Sequence, residues 1–193
     1  MNIYDVILQS NAVKLGEYEI YPGTTTPIYF DISEIISNPR LFDIITDMLA
    51  DKLREINPDK IAGAFTSGIP LATALSLKTN IPMVFIRRET KTHGLKTAVE
   101  GVLKPGERVV LIDDMITETK HNIPFINIIK ATGAKITDFL VVVDYGLGAK
   151  EGLEKQGVFV ESLTKISEVV SKLAGRGIIT KQRAKEINSK LHK

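Results

Sequence analysis

Residues 108–121, which read RVVLIDDMITETKH, decide the fold of this chain. After the first residue, 108–112 form a continuous aliphatic run, which is typical of a strand buried on both faces of a parallel sheet. The run ends in two adjacent carboxylates, Asp113 and Asp114, and then passes through a short polar turn into a segment with helical apolar spacing. Open α/β sheets bind ligands where a parallel strand ends and a helix begins. The stretch therefore predicts a ligand site at the two acids.

The rest of the chain alternates segments with strand and helix patterns. Strands are predicted at residues 17–21, 28–32, 61–65, 83–86, 136–144 and 158–163. Helices are predicted at residues 3–13, 39–56, 70–77, about 122–132 and 151–156, with two more that flank 175–177. The alternation favours one α/β domain over 1–193 with a doubly wound, mainly parallel sheet, a small N-terminal segment at 1–36 and C-terminal helices at 164–193.

Composition excludes several classes of protein. The chain has 193 residues, of which 44% are hydrophobic and 25% charged, and this suits one well-buried domain. The absence of cysteine removes disulfides, thiolate nucleophiles and thiolate metal sites. Because no secretory segment and no long apolar run is present, we expect a cytoplasmic protein that does not enter a membrane. Residues 172–193 carry seven Lys or Arg and one acid, a pattern typical of a solvated helix, so nucleic acid is not indicated.

Two further stretches are candidates for binding anions. Thr66-Ser67-Gly68 follows a predicted buried strand and could present backbone N–H groups to a phosphate, although short turns of this kind are common. The polar stretch 87–106 lacks a helical or strand period, and long loops in compact domains are usually functional. Its early part carries Arg87, Arg88, Lys91, His93 and Lys96. These side chains could neutralise a pyrophosphate, or they could form a solvated charged loop. His121 and His192 are expected at the surface.

These motifs, in this order, resemble the orotate phosphoribosyltransferase family of type I phosphoribosyltransferases. The strand that ends in DDMIT resembles the motif that binds phosphoribosyl diphosphate (PRPP). Upstream, FIRRETKTHG resembles the flexible catalytic loop of the family. The stretches GEYEIYPGTTTPIYFDIS and SLTKISEVVSKLAGRGIIT resemble its N-terminal hood segment and the closing segment of its archaeal and eukaryotic branch. The resemblance covers nearly the whole chain.

The resemblance implies an enzyme of pyrimidine nucleotide biosynthesis that transfers phosphoribosyl from PRPP to orotate. It implies a Mg²⁺-dependent homodimer in which the ion is carried by PRPP, with Asp113 as a candidate ligand. The implied catalytic residues are Lys91, His93, Asp113 and Asp114. Lys91 and His93, together with Arg87 and Arg88, would bind the pyrophosphate in the neighbouring subunit's site. PRPP would contact Thr66, Ser67, Gly68, Arg87, Arg88, Asp113, Asp114, Thr117 and Lys120. The base would lie near Tyr29, Phe30 and Tyr145.

Some positions depart from the family pattern. After Thr117 the family has a small residue, then Gly, then Ser or Thr, which wrap the 5′-phosphate, whereas this chain has ETKH. A glutamate beside a phosphate is repulsive. A hood lysine is replaced by Thr25, and the arginine after Asp144 is replaced by Tyr145. Two alternatives therefore stay open: a non-catalytic paralogue that senses nucleotides, and a phosphoribosyltransferase for another base.

Overall fold

A computed structural model of the chain describes residues 1–87 and 98–191. The strands are β1 (Val13–Tyr21), β2 (Thr24–Phe30), β3 (Lys60–Gly63), β4 (Met83–Ile86), β5 (Val99–Glu100), β6 (Arg108–Ile116), β7 (Lys135–Asp144) and β8 (Phe159–Lys165). The helices are α1 (Ile3–Ser10), α2 (Ile32–Ile36), α3 (Pro39–Ile56), α4 (Gly68–Thr79), α5 (Thr119–Ala131), α6 (Ala149–Glu154), α7 (Ile166–Gly175) and α8 (Lys181–Leu191). None of the helices within the described ranges has the length and apolar character that a bilayer span requires.

The central sheet has the strand order β5-β4-β3-β6-β7-β8. All neighbouring pairs are parallel except β4 and β5, which are antiparallel. The predicted α/β fold with a mainly parallel sheet is therefore confirmed. After β3 the chain continues to β4 on one side and later returns to β6 on the other. The carboxyl ends of β3 and β6 thus border the crevice where such sheets bind ligands.

The side chains of β6 point alternately to the two faces of the sheet, and both faces are covered by helices. Val110 and Ile112 belong to one buried cluster, which also holds the apolar faces of α1, α3, α4, α7 and α8. Val109 and Leu111 belong to a second cluster, formed with α5 and α6. Because successive side chains of a strand point to opposite faces, an unbroken apolar run is required here.

The N-terminal segment folds as a hairpin, and its strands are longer than predicted. β1 and β2 pair antiparallel from Val13 opposite Phe30 to Tyr21 opposite Thr24. The turn therefore shrinks to Pro22-Gly23, with Gly23 at φ +81°, a conformation that glycine adopts without strain. Ile32, predicted to end a strand, instead begins α2.

The start of α3 was predicted correctly. Asn38 caps the helix by accepting the Leu41 N–H at 3.2 Å, and Pro39 occupies the first turn. Two other predictions, on the loop 87–106 and on the end of β6, were wrong. The stretch 87–106, expected to lack a strand, contains β5, which pairs with Phe85 and Ile86. β6 runs through both acids to Ile116, because β7 continues the ladder beside it.

Candidate active site

The two acids of β6 lie buried at the edge of the crevice. Asp113 is 8% exposed and Asp114 7% exposed, and an Asp113 carboxylate oxygen accepts the Asp114 N–H at 2.9 Å. Burial raises the pKa of Asp113 well above its usual range, and the neighbouring Asp114 charge raises it further. Burial also raises the pKa of Asp114. Within the described residues no cation forms an ion pair with either carboxylate, so the pair is held in an electrostatically unfavourable position.

The turn after β3 brings the N-terminus of α4 against these acids. A Cβ atom at Gly68 would collide with the Ile112 carbonyl oxygen, so only glycine allows the helix to approach β6 this closely. The Gly68 N–H forms a hydrogen bond with Asp113, and the Ser67 side chain forms one with Asp114. Each hydrogen bond lowers the pKa of the acid that accepts it. The predicted turn and the predicted acids are therefore adjacent in space.

A cavity of about 270 Å³ opens beside Asp113. It is lined by Tyr21, Phe65, Arg87, His121 and Phe125 in addition to this acid. The Arg87 guanidinium donates a hydrogen bond to the Glu100 carboxylate at 3.1 Å. Arg87 thus lines the same cavity as Asp113. Arg88, Lys91, His93, Lys96 and His192 lie outside the described residues.

Residues 117–121 contact the tip of the hairpin at two points. The Glu118 carboxylate accepts the Thr24 hydroxyl at 2.7 Å and pairs with Lys120 at 2.8 Å. Lys120 and Thr24 hold the pKa of Glu118 below its usual range. The His121 imidazole stacks on Tyr21 and lies 3.3 Å from the Thr117 hydroxyl. His121 is therefore only partly exposed, and its ring packs against the hairpin, a contact that the sequence did not predict.

The start of α5 also differs from the prediction. The helix begins at Thr119, three residues before Asn122, and contains Pro124 within it. The Thr119 hydroxyl donates to the Gly148 carbonyl at 3.1 Å and thereby anchors the first turn to the loop after β7. Because of this early start, Thr119 and Lys120 belong to the helix, where the family would have a glycine-containing turn.

Tyr21 is the main site residue that sequence reasoning missed. Tyr21 lines the cavity beside Asp113, and burial, followed by the charges of Asp113 and Asp114, raises its pKa to about 12. The contact joins residues about 90 positions apart in the chain, and no local pattern reports it. The aromatic run Tyr18, Tyr21 and Tyr29 on the predicted hairpin was the available signal.

The three residues expected near the base divide into two groups. Tyr29 is half-buried beside Tyr18, with ring centroids 5.5 Å apart, and burial followed by the charges of Asp31 and Asp114 raises its pKa. Phe30 and Tyr145 are buried in the core. The Tyr145 hydroxyl accepts the Phe30 N–H at 2.9 Å and donates to the Ile28 carbonyl at 3.3 Å. These two side chains fasten the hood to the sheet and do not face a ligand, which corrects the prediction.

Comparisons with known proteins agree with the topology. The phosphoribosyl transferase domain profile matches residues 31–171. Orotate phosphoribosyltransferase of Pyrococcus abyssi is 36% identical over 166 residues, which cover 85% of this chain and 91% of that protein. The Sulfolobus acidocaldarius enzyme of the same name is 29% identical over 188 residues, which cover 97% and 95%.

Two solved structures extend the comparison. Leishmania donovani UMP synthase superposes with a TM-score of 0.88 at 28% identity over 98% of this chain, which spans 41% of the longer protein. Aeropyrum pernix orotate phosphoribosyltransferase superposes with a TM-score of 0.77 at 25% identity, over 89% of this chain and 99% of that one. With a matching domain profile, relatives of similar length and a shared topology, the chain belongs to the orotate phosphoribosyltransferase family.

Proposed function

We propose that this protein transfers the phosphoribosyl group of PRPP to orotate, giving orotidine 5′-phosphate and pyrophosphate in pyrimidine nucleotide biosynthesis. The observation that carries the proposal is the buried pair Asp113–Asp114, which the Ser67-Gly68 turn contacts at the switch point of the sheet. The relatives named for this activity support the proposal, because they match this chain over most of their own length.

The acids suit a ribose that bears two hydroxyl groups. Ionised carboxylates only accept hydrogen bonds, and the vicinal 2′- and 3′-hydroxyls each donate one. These bonds favour the ionised acids and so offset part of the effect of burial. As the carbon–oxygen bond at ribose C1 breaks, positive charge develops on the ring. Two buried negative charges stabilise that transition state more than the neutral ground state.

The departing pyrophosphate would bind on the other side of the crevice. The N–H groups of Thr66 and Ser67, just before α4, and the Arg87 guanidinium are the described groups suited to it. The C1–O bond breaks with its electron pair leaving on pyrophosphate. Orotate N1 supplies the pair for the new C1–N bond and releases its proton to solvent. Catalysis thus depends on positioning and charge rather than on a nucleophilic side chain.

We also propose that the reaction requires Mg²⁺. The described residues contain no group of three or more acidic, histidine or cysteine side chains that could hold a metal alone. Mg²⁺ commonly binds through one or two carboxylates together with substrate phosphates, and the Asp113–Asp114 pair fits that arrangement. Bound there, the ion would neutralise charge on the pyrophosphate. Activity should disappear with EDTA and return with added Mg²⁺.

The central experiment measures orotate consumption by absorbance with PRPP and Mg²⁺. We expect turnover by the wild type, and Asp114→Asn should lower kcat/KM by about a hundredfold or more because a transition-state charge interaction is lost. Asp138→Asn, in β7, is the matched control and should keep activity. Absence of turnover by the wild type, or an unaffected Asp114→Asn, would refute the proposal.

We further propose a cytoplasmic homodimer in which Lys91 and His93 serve the neighbouring subunit. Mixing two inactive variants tests this. Asp114→Asn subunits keep an intact loop, and Lys91→Ala subunits keep an intact acid pair, so mixed dimers should regain one functional site. Recovery of activity after mixing supports the arrangement. A monomer in sedimentation analysis, or no recovery, contradicts it.

A phosphoribosyltransferase for another base is the second candidate. The observation that favours it is Tyr145, whose burial in the core removes it from contact with an orotate carboxylate. Turnover with another nucleobase and none with orotate would establish this alternative. A protein that binds PRPP or orotidylate in a thermal-shift assay without turning over any base would instead be a nucleotide sensor.

A further inference from the structure

The tip of the hood hairpin is fastened to the start of α5 by two side-chain contacts. The Thr24 hydroxyl donates to the Glu118 carboxylate at 2.7 Å, and the Tyr21 ring stacks on the His121 imidazole with ring centroids 3.7 Å apart. We call these four side chains the latch. Glu118 and His121 belong to the stretch ETKH, which stands where the family has a phosphate-wrapping turn. In this chain the stretch therefore holds the hood.

The latch separates two spaces in the molecule. Its two rings line the cavity of about 270 Å³ beside Asp113, whereas its hydroxyl and its carboxylate line a second cleft of about 990 Å³. The other walls of the second cleft include residues 25–27, the turn at 146–147 and two cations of α8, Arg183 and Lys190. The latch is therefore the common wall between the larger cleft and the cavity that holds the acid pair.

The cavity beside Asp113 is small for the proposed reaction. Small-molecule pockets usually have volumes of about 300–1,000 Å³, and this cavity, of about 270 Å³, would have to hold the reacting ends of two substrates. Tyr21 and His121 occupy one side of it. Separation of these two rings would join the cavity to the larger cleft and give one space that reaches the acids.

The hairpin can bend at its tip while its base stays fixed. At the base, the Tyr145 hydroxyl accepts the Phe30 N–H at 2.9 Å and donates to the Ile28 carbonyl at 3.3 Å. Between the base and the tip, the pairing of β1 with β2 is irregular at residues 15–18 and again at residues 19–21. Such irregularities interrupt the ladder and bend a strand. Because the hairpin is a two-stranded sheet of its own, its bending leaves the central sheet undisturbed.

We propose that the latch is an autoinhibitory contact, which holds the hood closed beside the acid pair in the ligand-free protein and is released when PRPP binds. The inference rests on the proposed function, because PRPP is the ligand that needs the space. When only the open state binds a ligand, the apparent affinity is reduced in proportion to the open fraction. Weakening the latch should therefore strengthen the binding of PRPP, whereas loss of a substrate contact would weaken it. The sign of the effect distinguishes the two roles.

Thr24→Val tests the latch, because it removes the hydroxyl that Glu118 accepts and keeps the size and charge of the side chain. The KM for PRPP should fall about fivefold or more, since a hydrogen bond to a carboxylate is among the stronger ones in proteins. Thr73→Val, which removes an exposed hydroxyl from α4, is the matched control and should leave this KM unchanged. An active enzyme whose PRPP KM is unchanged or raised by Thr24→Val overturns the inference and leaves the proposed function intact.

Glu118→Gln separates the latch from simple charge repulsion. The amide oxygen of glutamine still accepts the Thr24 hydroxyl, whereas the negative charge that would repel a phosphate is lost. A lower PRPP KM in both Glu118→Gln and Thr24→Val supports the latch, because the second variant changes no charge. A lower KM in Glu118→Gln alone would show repulsion without a latch and would overturn the inference.

Direct binding keeps the inference testable if the wild type shows no turnover, which would be a failure of the proposed function. Calorimetry with PRPP and Mg²⁺ then compares the wild type with Thr24→Val and Thr73→Val. Tighter binding of PRPP by Thr24→Val alone, or binding that occurs only in that variant, supports the latch. Equal binding by all three proteins, weaker binding by Thr24→Val, or no binding by any of them overturns it.

Discussion

The ring of Tyr21 lies nearly parallel to the imidazole of His121, with ring centroids 3.7 Å apart and an interplanar angle of 13°. Tyr21 ends the first strand of the hood hairpin, and His121 lies in the first turn of α5. The contact therefore joins the hood to residues 117–121, the segment where the family wraps a phosphate. It also closes one side of the cavity beside Asp113.

Removing this stack should have a measurable coupling energy. Aromatic pairs contribute about 0.5–1.5 kcal/mol beyond their buried area. In a double-mutant cycle with Tyr21→Ala and His121→Ala, urea unfolding should therefore give a coupling free energy in that range. Tyr21→Phe keeps the ring and should keep the coupling. A coupling below about 0.3 kcal/mol, within the error of independent sites, would show that the rings do not stabilise each other.

The same contact should shift the titration of His121. Burial lowers the pKa of this imidazole below 6.5, so the neutral form is favoured in the folded state. Protonation of His121 then opposes folding. The stability that the neutral imidazole provides above about pH 6.5 is therefore lost as the pH falls through the folded-state pKa. NMR titration should give a midpoint below that value, and Tyr21→Ala should raise it because the ring becomes hydrated. A midpoint at or above 6.5 in the wild type would contradict the burial.

Asp113→Asn should stabilise the ligand-free protein at neutral pH. Because the folded-state pKa of Asp113 is raised, its favourable contribution is present below the unfolded value near 3.9 and is lost as the pH rises through the folded value. We expect a gain of roughly 0.5–2 kcal/mol in the free energy of unfolding at pH 7, together with loss of activity. The gain should vanish near pH 3. Asp138→Asn is the control and should change the free energy of unfolding at pH 7 by less than about 0.5 kcal/mol.

Gly152→Ala should displace the first turn of α5. A Cβ atom at Gly152 would collide with the Thr119 side chain, and overpacking of this kind destabilises by about 1–3 kcal/mol. Thr119→Ala removes the colliding methyl and hydroxyl groups, so the double variant should be less destabilised than the sum of the single ones. Gly175→Ala, where a Cβ atom meets nothing within 4 Å, should change stability by less than about 0.5 kcal/mol. Urea unfolding measures all four.

Tyr145→Phe should loosen the hood. The substitution leaves the buried Phe30 N–H without the partner that it has at 2.9 Å, and an unsatisfied buried donor costs about 1–3 kcal/mol. Tyr145→Arg should be more harmful, because the site is 1% exposed and the longer, charged guanidinium side chain would have to be buried among core residues. Tyr18→Phe is the control and should stay within about 0.5 kcal/mol of the wild type. Hydrogen exchange in β2 should become faster for both Tyr145 variants and should be unchanged for Tyr18→Phe.

The sequence by itself determined the fold class and the central position of β6. Val109 to Ile112 are apolar on both faces, and only a central strand of a covered parallel sheet requires that pattern. The start of α3 was also readable, since Asn38 and Pro39 satisfy and shape a helix terminus locally. The acids and the Ser67-Gly68 turn were identified for the same reason, because strand ends and turn residues carry short-range signals.

Only the tertiary structure decided how the hood is used. Phe30 and Tyr145 have the chemistry of base-binding residues, but β2 packs over the end of β7 and buries both rings in the core. Likewise Tyr21 meets His121, and α8 brings Arg183 and Lys190 beside β2. These contacts join residues far apart in the chain, and their energy comes from burial and side-chain packing between elements. No periodicity or local motif encodes such packing, so the site's walls became visible only once the elements were assembled.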